Sequence, residues 1–322
     1  MTYLHTGDAE LDLTVVLPIY NEAGNLRRFV PELSGVLQDL GRSYEIIAVD
    51  DGSRDESVAV LRDLKVDEPG LRIIRFRRNF GQTAAFAAGF DLARGAWVIT
   101  MDADGQNDPA DIPRMLEVAE EGEYDIVSGW RQDRKEPFLS RRLPSIMANR
   151  LIGKSTGVEL HDYGCSLKIY HRDVAKGVNL YGELHRFIPA LASSLGVRVA
   201  EVAVNDRPRR YGTSKYNLSK SVRVILDLLT VSFLLSYMGR PMQLFGLAGL
   251  VSGGIGFGLA LYLALYKLIT GADIGDRPLL SLAILLMILG AQFLVMGLLG
   301  ELQARTYFEV QNKPIYTIRR EE

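Results

Sequence analysis

Thr14-Val15-Val16-Leu17-Pro18 is a short run rich in β-branched residues, and polar residues follow it almost directly. A second run of this kind, Glu45-Ile46-Ile47-Ala48-Val49, comes after a stretch of helical character from about Asn25 to Leu40. Strand, helix and strand in this order indicate a βαβ unit, because parallel strands need a long crossover connection. The sequence therefore predicts an α/β fold built on a mainly parallel, Rossmann-like sheet.

Two further strands and a helix extend this pattern. Arg72 to Phe76 and Ala96 to Met101 are predicted as strands, and Thr83 to Ala93 is predicted as the helix between them. In open parallel sheets, ligands collect at the carboxyl ends of the strands. Acidic and amide residues from three separate loops fall just past such ends and should converge on one crevice: Asn21, Glu22, Asp50, Asp51, Asp102 and Asp104.

An acidic triplet, Asp102-Ala103-Asp104, follows the last of these strands. Two carboxylates this close are costly unless a cation neutralises them, and hard oxygen ligands suit Mg²⁺ or Mn²⁺ shared with a diphosphate. Acidic triplets are also common in solvated turns. The position of this one, at the end of the apolar strand Trp97-Val98-Ile99-Thr100, favours the metal site.

A second set of polar residues suits a nucleoside. In Pro18-Ile19-Tyr20-Asn21-Glu22, Tyr20 could cover the face of a base. Glu22 and one of the paired aspartates Asp50 and Asp51 could accept hydrogen bonds from a base or a ribose. Each motif also has a purely structural interpretation, with Asn21-Glu22 as a helix start and Asp51-Gly52-Ser53 as a turn.

Two apolar stretches near the C-terminus, Met242 to Tyr266 and Leu279 to Gly300, are long enough to cross a bilayer, which takes about 20 residues. About a dozen residues, Lys267 to Pro278, connect them, so the spans should form a hairpin with both flanks on one side. Basic residues are more numerous in the tail than in this connection, which favours a cytoplasmic tail. The tail carries Arg305, Lys313, Arg319 and Arg320.

The segment before the spans has helical periodicity. Apolar residues recur from Leu218 to Phe233 with charged residues between them, which indicates an amphipathic helix on the bilayer surface or, alternatively, a helix packed on the domain core. In the first span, the pairs Gly249/Gly253 and Gly254/Gly258 permit close helix contact. This spacing makes a homo-oligomer plausible, although glycine is common in membrane helices.

Charge and cysteine content narrow the class of protein. The 322 residues carry a net charge of −2, so nothing indicates nucleic-acid binding. The single cysteine, Cys165, cannot form an internal disulfide, which agrees with a reducing compartment. Met1 to Leu13 lacks the basic start and apolar core of a signal peptide. We therefore expect a multi-pass protein of the inner (plasma) membrane with its catalytic half in the cytoplasm.

The motifs Val16-Leu17-Pro18-Ile19-Tyr20-Asn21-Glu22, Val49-Asp50-Asp51-Gly52-Ser53 and Asp102-Ala103-Asp104 resemble those of the family 2 glycosyltransferases, whose catalytic domain has the GT-A fold. Asp162-Tyr163-Gly164-Cys165, the basic stretch 209–216 and the paired spans resemble the polyprenyl-phosphate glycosyltransferases. That group includes dolichol-phosphate mannose synthase, bactoprenol glucosyltransferases and the undecaprenyl-phosphate aminoarabinose transferase. The Gln-x-x-Arg-Trp motif of processive synthases is absent from the sequence, which argues against polymer extrusion.

The resemblance implies a division of the chain into four parts. Residues 1–216 would form the GT-A catalytic domain, and residues 217–240 would form amphipathic juxtamembrane helices. Residues 241–300 would form the two transmembrane helices, and residues 301–322 would be a cytoplasmic tail.

The resemblance also implies roles for individual residues. The nucleoside would be held by Pro18, Tyr20, Glu22 and Asp51, with Asp50 nearby. The metal and diphosphate would be organised by Asp102, Asp104 and Gln106. The acceptor phosphate would be bound by Arg131, Arg141 and Ser145. A mobile basic loop near the diphosphate would contribute Arg209, Ser214 and Lys215. Ser128-Gly129-Trp130-Arg131 departs from the usual Gly-Ser-Arg of the family by inserting Gly-Trp, yet it keeps the arginine.

Basic residues at these positions have a physical rationale of their own. Two anionic substrates must approach each other, and the planar fork of arginine matches phosphate oxygens. The alternative for Arg131 and Arg141 is a solvated charged stretch or attraction to anionic lipid.

The reaction that we expect is an inverting displacement that moves a hexose from a UDP-sugar, for example UDP-glucose, to a polyprenyl phosphate. The product would be a lipid-linked monosaccharide for the cell envelope. A phosphate oxygen is already ionised near neutral pH, so a strong base is not required. Asp162 is the best candidate for a base or for a carboxylate that orients the acceptor, and a helix or turn cap is the structural alternative. Glu183, His185 and Arg186 could shape the sugar pocket, although a lone histidine is more often structural.

Other functions stay open at this point. The acceptor could be a hydroxyl-bearing glycerolipid, which would need a true base, or the donor could be GDP-mannose, as in dolichol-phosphate mannose synthase. A membrane scaffold or a nucleotide-sugar sensor without catalysis is opposed by the combined acidic and basic motifs.

Overall fold

The computed structural model describes residues 10–132, 153, 157–178, 180, 184–193, 196–208, 241–275 and 277–310. These residues belong to two compact units, one within the described residues up to 208 and the other within residues 241–310. The predicted amphipathic segment 217–240 and residues 311–322 of the predicted tail lie outside the described residues.

The first unit alternates strands and helices, as the sequence predicted, with slightly different ends. Within the described residues its strands are β1 (Leu11–Ile19), β2 (Tyr44–Asp50), β3 (Leu71–Arg75), β4 (Gly95–Thr100), β5 (Ile126–Trp130), β6 (Lys168–His171) and β7 (Val199–Ala203). The α-helices found in the same described residues are α1 (Ala23–Asp39), α2 (Ser57–Asp67), α3 (Gln82–Leu92), α4 (Ile112–Glu121), α5 (Arg172–Gly177) and α6 (Ile188–Ala192). Single 3₁₀ turns at Pro109–Asp111 and Leu184–Phe187 precede α4 and α6.

These strands form one sheet in the order β3-β2-β1-β4-β6-β5-β7. Strands β1 to β4 are parallel neighbours, whereas β6 is antiparallel to both β4 and β5. The prediction of a mainly parallel sheet is therefore confirmed. Because β1 lies between β2 and β4, the loops after these three strands emerge side by side, where such sheets form a ligand crevice.

Both faces of β1 are buried, as expected for the centre of a parallel sheet. Val15 and Leu17 lie in one hydrophobic cluster together with Leu33 of α1. Val16, which points to the opposite face, lies in a second cluster together with Phe86 of α3. This two-sided core fixes the strand whose carboxyl end carries the Tyr20-Asn21-Glu22 motif.

The second unit consists of two long apolar helices, α7 (Pro241–Thr270) and α8 (Pro278–Val310). Both are long and apolar enough to cross a membrane. The connection between them, residues 271–277, is shorter than the sequence predicted because α7 continues beyond its apolar stretch. Gly271 ends α7 with a φ of +68°, and its N–H donates to the Lys267 carbonyl at 2.9 Å.

Small residues let α7 and α8 approach closely. A Cβ added at Gly290 of α8 would lie 2.7 Å from the Cα of Gly253, and one added at Gly256 of α7 would lie 2.7 Å from the Ala283 carbonyl oxygen. A Cβ at Gly254 would meet nothing within 4 Å. The two helices therefore pack through glycine contacts, and Gly254 faces away from them.

Candidate active site

The loops after β1 and β2 are bound to each other by backbone-to-side-chain hydrogen bonds. Asn21 adopts the left-handed conformation with a φ of +59°, which asparagine tolerates better than most residues. Its N–H donates to Ser53 Oγ at 3.0 Å, and its Oδ1 accepts from the Arg54 N–H at 2.8 Å. The Glu22 N–H donates to Ser57 Oγ at 2.9 Å. The predicted nucleoside motifs are thus brought together as one rigid edge.

Three of the residues predicted for the nucleoside lie along this edge. Pro18 is half-buried near the end of β1, where it is aligned with Val49 of β2. Tyr20 is half-buried just past the strand. Glu22 starts α1, and its Oε2 accepts from Asn25 Nδ2 at 2.6 Å. The acidic side chain of Glu22 therefore has a structural partner within its own helix.

The paired aspartates after β2 have different surroundings. Asp51 accepts hydrogen bonds from the N–H groups of Phe80 at 2.6 Å and Gly81 at 2.9 Å, so it fixes the loop that leads into α3. Asp50 Oδ1 accepts from the Ser53 N–H at 3.1 Å. Among the described residues, Asp50 Oδ2 is buried without a hydrogen bond, and the nearest charge is Arg75 Nε at 3.7 Å.

The acidic triplet lies directly past β4 and is half-buried. Asp102 Oδ1 accepts from Gln82 Nε2 at 2.6 Å, and Asp104 Oδ1 accepts from the Gln106 N–H at 3.0 Å. Gly105, with a φ of +76°, makes the turn between Asp104 and Gln106. Burial, and next the charge of Asp104, raise the pKa of Asp102 to about 6. The site is therefore one in which two carboxylates repel each other and a cation would stabilise both.

Asn107 connects the triplet to two other segments of the chain. Its Oδ1 accepts from the Asp102 N–H at 3.3 Å and from Ser166 Oγ at 2.7 Å. The neighbouring Gln106 carbonyl accepts from the Arg207 N–H at 2.8 Å. The triplet, the loop before β6 and the segment after β7 thus form one network.

Arg207 itself is held by two carboxylates. Its guanidinium donates to Glu32 Oε1 and to Asp108 Oδ1, each at 2.6 Å. The chain beyond Pro208 leads to the predicted basic loop. Five of the predicted site residues lie outside the described residues: Arg141, Ser145, Arg209, Ser214 and Lys215.

Arg131 and Asp162 form a mostly buried, bidentate ion pair. Arg131 Nε donates to Asp162 Oδ2 at 2.9 Å, and Nη2 donates to Oδ1 at 3.3 Å. The Gly164 N–H also donates to Asp162 Oδ1, at 3.0 Å. Burial lowers the pKa of Arg131, but the hydrogen bond and charge of Asp162 outweigh it and raise the pKa overall. Asp162 therefore orients Arg131 and the loop before β6.

Two residues that the sequence analysis did not single out belong to this region. Gln82 binds Asp102, as described above. Lys168 is buried on β6, and its Nζ donates to the carbonyl oxygens of Tyr163, at 3.1 Å, and of Cys165. A charged residue inside the apolar run Leu167-Lys168-Ile169-Tyr170 was the available signal, because such a residue on a buried strand needs polar partners.

His185 and Arg186 lie in a small cavity bordered by Asp102. His185 Nδ1 is 2.7 Å from Thr83 Oγ1, and its ring contacts Phe86. Burial, and next the charge of Arg186, lower the pKa of His185 to about 3, so this imidazole is neutral. The neighbouring Glu183, which the sequence analysis also assigned to the sugar pocket, lies outside the described residues.

Comparisons with known proteins place these features in a family. A family model described as glycosyl transferase family 2 matches residues 14–178. The dodecaprenyl-phosphate galacturonate synthase of Rhizobium johnstonii is 45% identical over 312 residues, which cover 96% of this chain and 92% of that protein. The undecaprenyl-phosphate 4-deoxy-4-formamido-L-arabinose transferase of Aeromonas hydrophila is 38% identical over 308 residues, with coverages of 95% and 92%.

The fold also matches solved structures. The crystal structure of glucosyl-3-phosphoglycerate synthase from Mycobacterium tuberculosis, in complex with Mn²⁺, uridine diphosphate and phosphoglyceric acid, aligns with a TM-score of 0.53. The alignment covers 70% of this chain and 79% of that chain at 19% identity, so the likeness concerns the fold alone.

Proposed function

The chain belongs to glycosyl transferase family 2, and we propose that it transfers a hexose from a nucleoside-diphosphate sugar to the phosphate of a polyprenyl phosphate. It is a glycosyltransferase, and its first unit has the GT-A fold that the sequence predicted. The observation that carries the proposal is the position of Asp102 and Asp104 past the end of β4, in the sheet where β1 and β2 bring the nucleoside motifs together.

The acidic residues fit a divalent cation, for which we propose Mg²⁺ or Mn²⁺. The raised pKa of Asp102 results from burial and from the repulsion of Asp104, and a bound cation would relieve that repulsion. Asp102 and Asp104, with Gln106 beside them, supply the oxygen ligands that these ions prefer. When bound, the ion would neutralise charge on the diphosphate leaving group.

The donor and acceptor follow from the relatives and from the second unit. The two relatives described above are named for polyprenyl-phosphate acceptors, and helices α7 and α8 would keep the enzyme at the bilayer where such lipids reside. For the donor we propose a UDP-sugar; UDP-glucose is the example that the sequence led us to expect. The crevice would hold the nucleoside between Tyr20 and the loop fixed by Asp51.

The proposed reaction is a single displacement. An ionised oxygen of the lipid phosphate forms a bond to the anomeric carbon, and the bond from that carbon to the diphosphate oxygen breaks, so the nucleoside diphosphate leaves with the electron pair. The anomeric configuration inverts. No proton needs to be removed from the attacking oxygen near neutral pH.

Asp162 therefore acts, in our proposal, as a positioning residue rather than as a base. Both of its oxygens accept hydrogen bonds from Arg131 or Gly164. Arg131, held in this way, would face the acceptor phosphate together with Arg141 and Ser145. Arg209, Ser214 and Lys215 of the predicted basic loop would stabilise the departing diphosphate.

We further propose that α7 and α8 form a transmembrane hairpin in the inner membrane, with the catalytic unit in the cytoplasm. The outward-facing Gly254 of α7 is a contact point for a homo-oligomer in this proposal.

The second candidate is transfer to a hydroxyl-bearing glycerolipid. That reaction would need a general base. Asp162, the residue considered for that role, is engaged by an arginine and a backbone N–H, which favours the phosphate acceptor.

The experiment is transfer of labelled sugar into lipid by the purified full-length protein. The donors are UDP-, GDP- and dTDP-sugars, and the acceptor is undecaprenyl phosphate, with Mg²⁺ or Mn²⁺. We expect lipid-linked label from a UDP-sugar, and a loss of at least about 100-fold in Asp104→Asn. The matched control is Asp63→Asn, on the exposed face of α2, which should keep wild-type transfer. Full transfer by Asp104→Asn would contradict the proposed metal site.

A further inference from the structure

A cavity in the catalytic unit is bordered by Asp102 and lined by more basic than acidic residues. Its charged lining residues are Asp102, Lys168 and Arg186, and His185 contributes a neutral imidazole. Asp102 is engaged by Gln82 at 2.6 Å and, in the proposed function, by the metal. Two basic residues thus line a space next to the proposed diphosphate site, where the sugar would be held.

Lys168 is a buried amine whose pKa is lowered by burial, although the charges of Asp162 and Asp102 oppose that shift. It is 2% exposed, and its hydrogen bonds go to the carbonyl oxygens of Tyr163 and Cys165. An ammonium group has three N–H donors, and no third acceptor is present among the described residues. A buried ammonium group is costly unless it is paired, so an anion in the cavity would stabilise the charged form of Lys168.

Arg186 lines the same cavity. Its side chain is exposed, and it makes no hydrogen bond or ion pair in the described part of the chain. It follows His185, whose ring is fixed by Thr83 and Phe86, so the backbone that carries Arg186 is anchored. A planar guanidinium binds a carboxylate through two parallel hydrogen bonds.

We propose that this cavity selects a sugar that carries a carboxylate, and that Arg186 binds the carboxylate while Lys168 supplies the positive field behind it. This inference rests on the proposed function and refines it, because the donor becomes a nucleoside-diphosphate uronic acid in place of the UDP-glucose expected from the sequence. Arg186 is then a specificity-determining residue, since a neutral hexose has no anion to pair with it.

The test compares donors that differ only at C6. UDP-glucuronate is paired with UDP-glucose, and UDP-galacturonate with UDP-galactose. We expect wild-type kcat/KM to be at least about tenfold higher for one uronate than for its neutral partner. In Arg186→Gln, that preference should fall by about tenfold or more, to near unity, with little change for the neutral donor. Arg62→Gln, which removes an exposed arginine from α2, is the matched control.

Three results would overturn the inference. One is a wild-type enzyme whose kcat/KM for the neutral donors equals its kcat/KM for the uronates. Another is an equal loss for both donors in Arg186→Gln with a raised KM for the lipid, which would place Arg186 at the acceptor phosphate. The third is a wild type that, by calorimetry, binds neither uronate more tightly than its neutral partner. Calorimetry also separates the proposed lipid acceptor from the proposed uronate donor. If no donor supports transfer but the protein still binds a uronate donor selectively, only the lipid acceptor is rejected.

Discussion

Because Asp162 forms an ion pair with Arg131, its role in positioning that arginine can be separated from a role as a general base. Asp162→Asn removes the charge that compensates a mostly buried guanidinium, and we expect it to lower the free energy of unfolding by about 3 kcal/mol. Activity should fall through misplacement of Arg131, with the pH dependence of kcat unchanged. Chemical unfolding and a pH profile of kcat measure the two effects.

A second variant makes this prediction sharper. In an Arg131→Met background, Asp162→Asn should cost much less stability, because the buried charge that it leaves unpaired is already gone. Normal stability of Asp162→Asn combined with the loss of one limb of the pH profile would instead identify Asp162 as a base.

His185 gives a pH dependence of stability whose sign follows from its pKa. Burial lowers that pKa to about 3, below the ordinary 6.5, so the folded protein keeps the imidazole neutral while the unfolded chain takes up a proton. The stabilising contribution is complete above pH 6.5 and is lost as pH falls toward 3, by about 1.4 kcal/mol per pH unit.

The measurement is the apparent Tm of the full-length protein at pH 7 and pH 5. His185→Gln removes the titrating group but keeps a side chain that can bond Thr83, so its Tm should fall less between these two values than the wild-type Tm does. Parallel curves for the two proteins would show that His185 does not titrate as described.

At the level of elements, the contact between α7 and α8 depends on glycine. In Gly290→Ala the new methyl group would lie 2.7 Å from the Gly253 Cα, so the helices must separate, at a cost of about 1 to 3 kcal/mol. Gly254→Ala adds the same methyl group where nothing lies within 4 Å. We expect a lower Tm in detergent for the first variant only. Equal Tm values for both variants would rule out this packing.

The sequence predicted the elements whose signal is local. The apolar runs that form β1, β2, β3 and β4 are continuous because both faces of these strands are covered. The two long apolar helices are equally easy to recognise in the sequence. The antiparallel strand β6 was not predicted, because only four residues form it and its partners β4 and β5 lie far from it in the chain.

The candidate site was likewise predictable only where its signal is local in the sequence. The acidic triplet follows a predictable strand and could be read directly from the sequence. The bond from Gln82 to Asp102 could not, because it joins α3 to the loop after β4, which come together only in the folded sheet. The different partners of Asp50 and Asp51 are likewise invisible in a pair of adjacent identical residues.

At the scale of the whole molecule, we propose that a family 2 catalytic unit and a pair of apolar helices on one chain serve a single reaction at the membrane. The two units have different chemistry, one with a crevice of carboxylates and the other with surfaces suited to lipid. In the proposed function, a polyprenyl phosphate suits both units, because its head group is an anion for the basic residues and its chain is apolar.

The most direct test of this claim is the identity of the products when undecaprenyl phosphate and diacylglycerol are offered together with the preferred donor. Mass spectrometry of the lipids and chromatography of the nucleotides are run on one reaction. We expect only the lipid phosphate to gain one sugar residue, with one nucleoside diphosphate released per product. Glycosylated diacylglycerol, or release of nucleoside monophosphate, would contradict transfer of a hexose to the lipid phosphate.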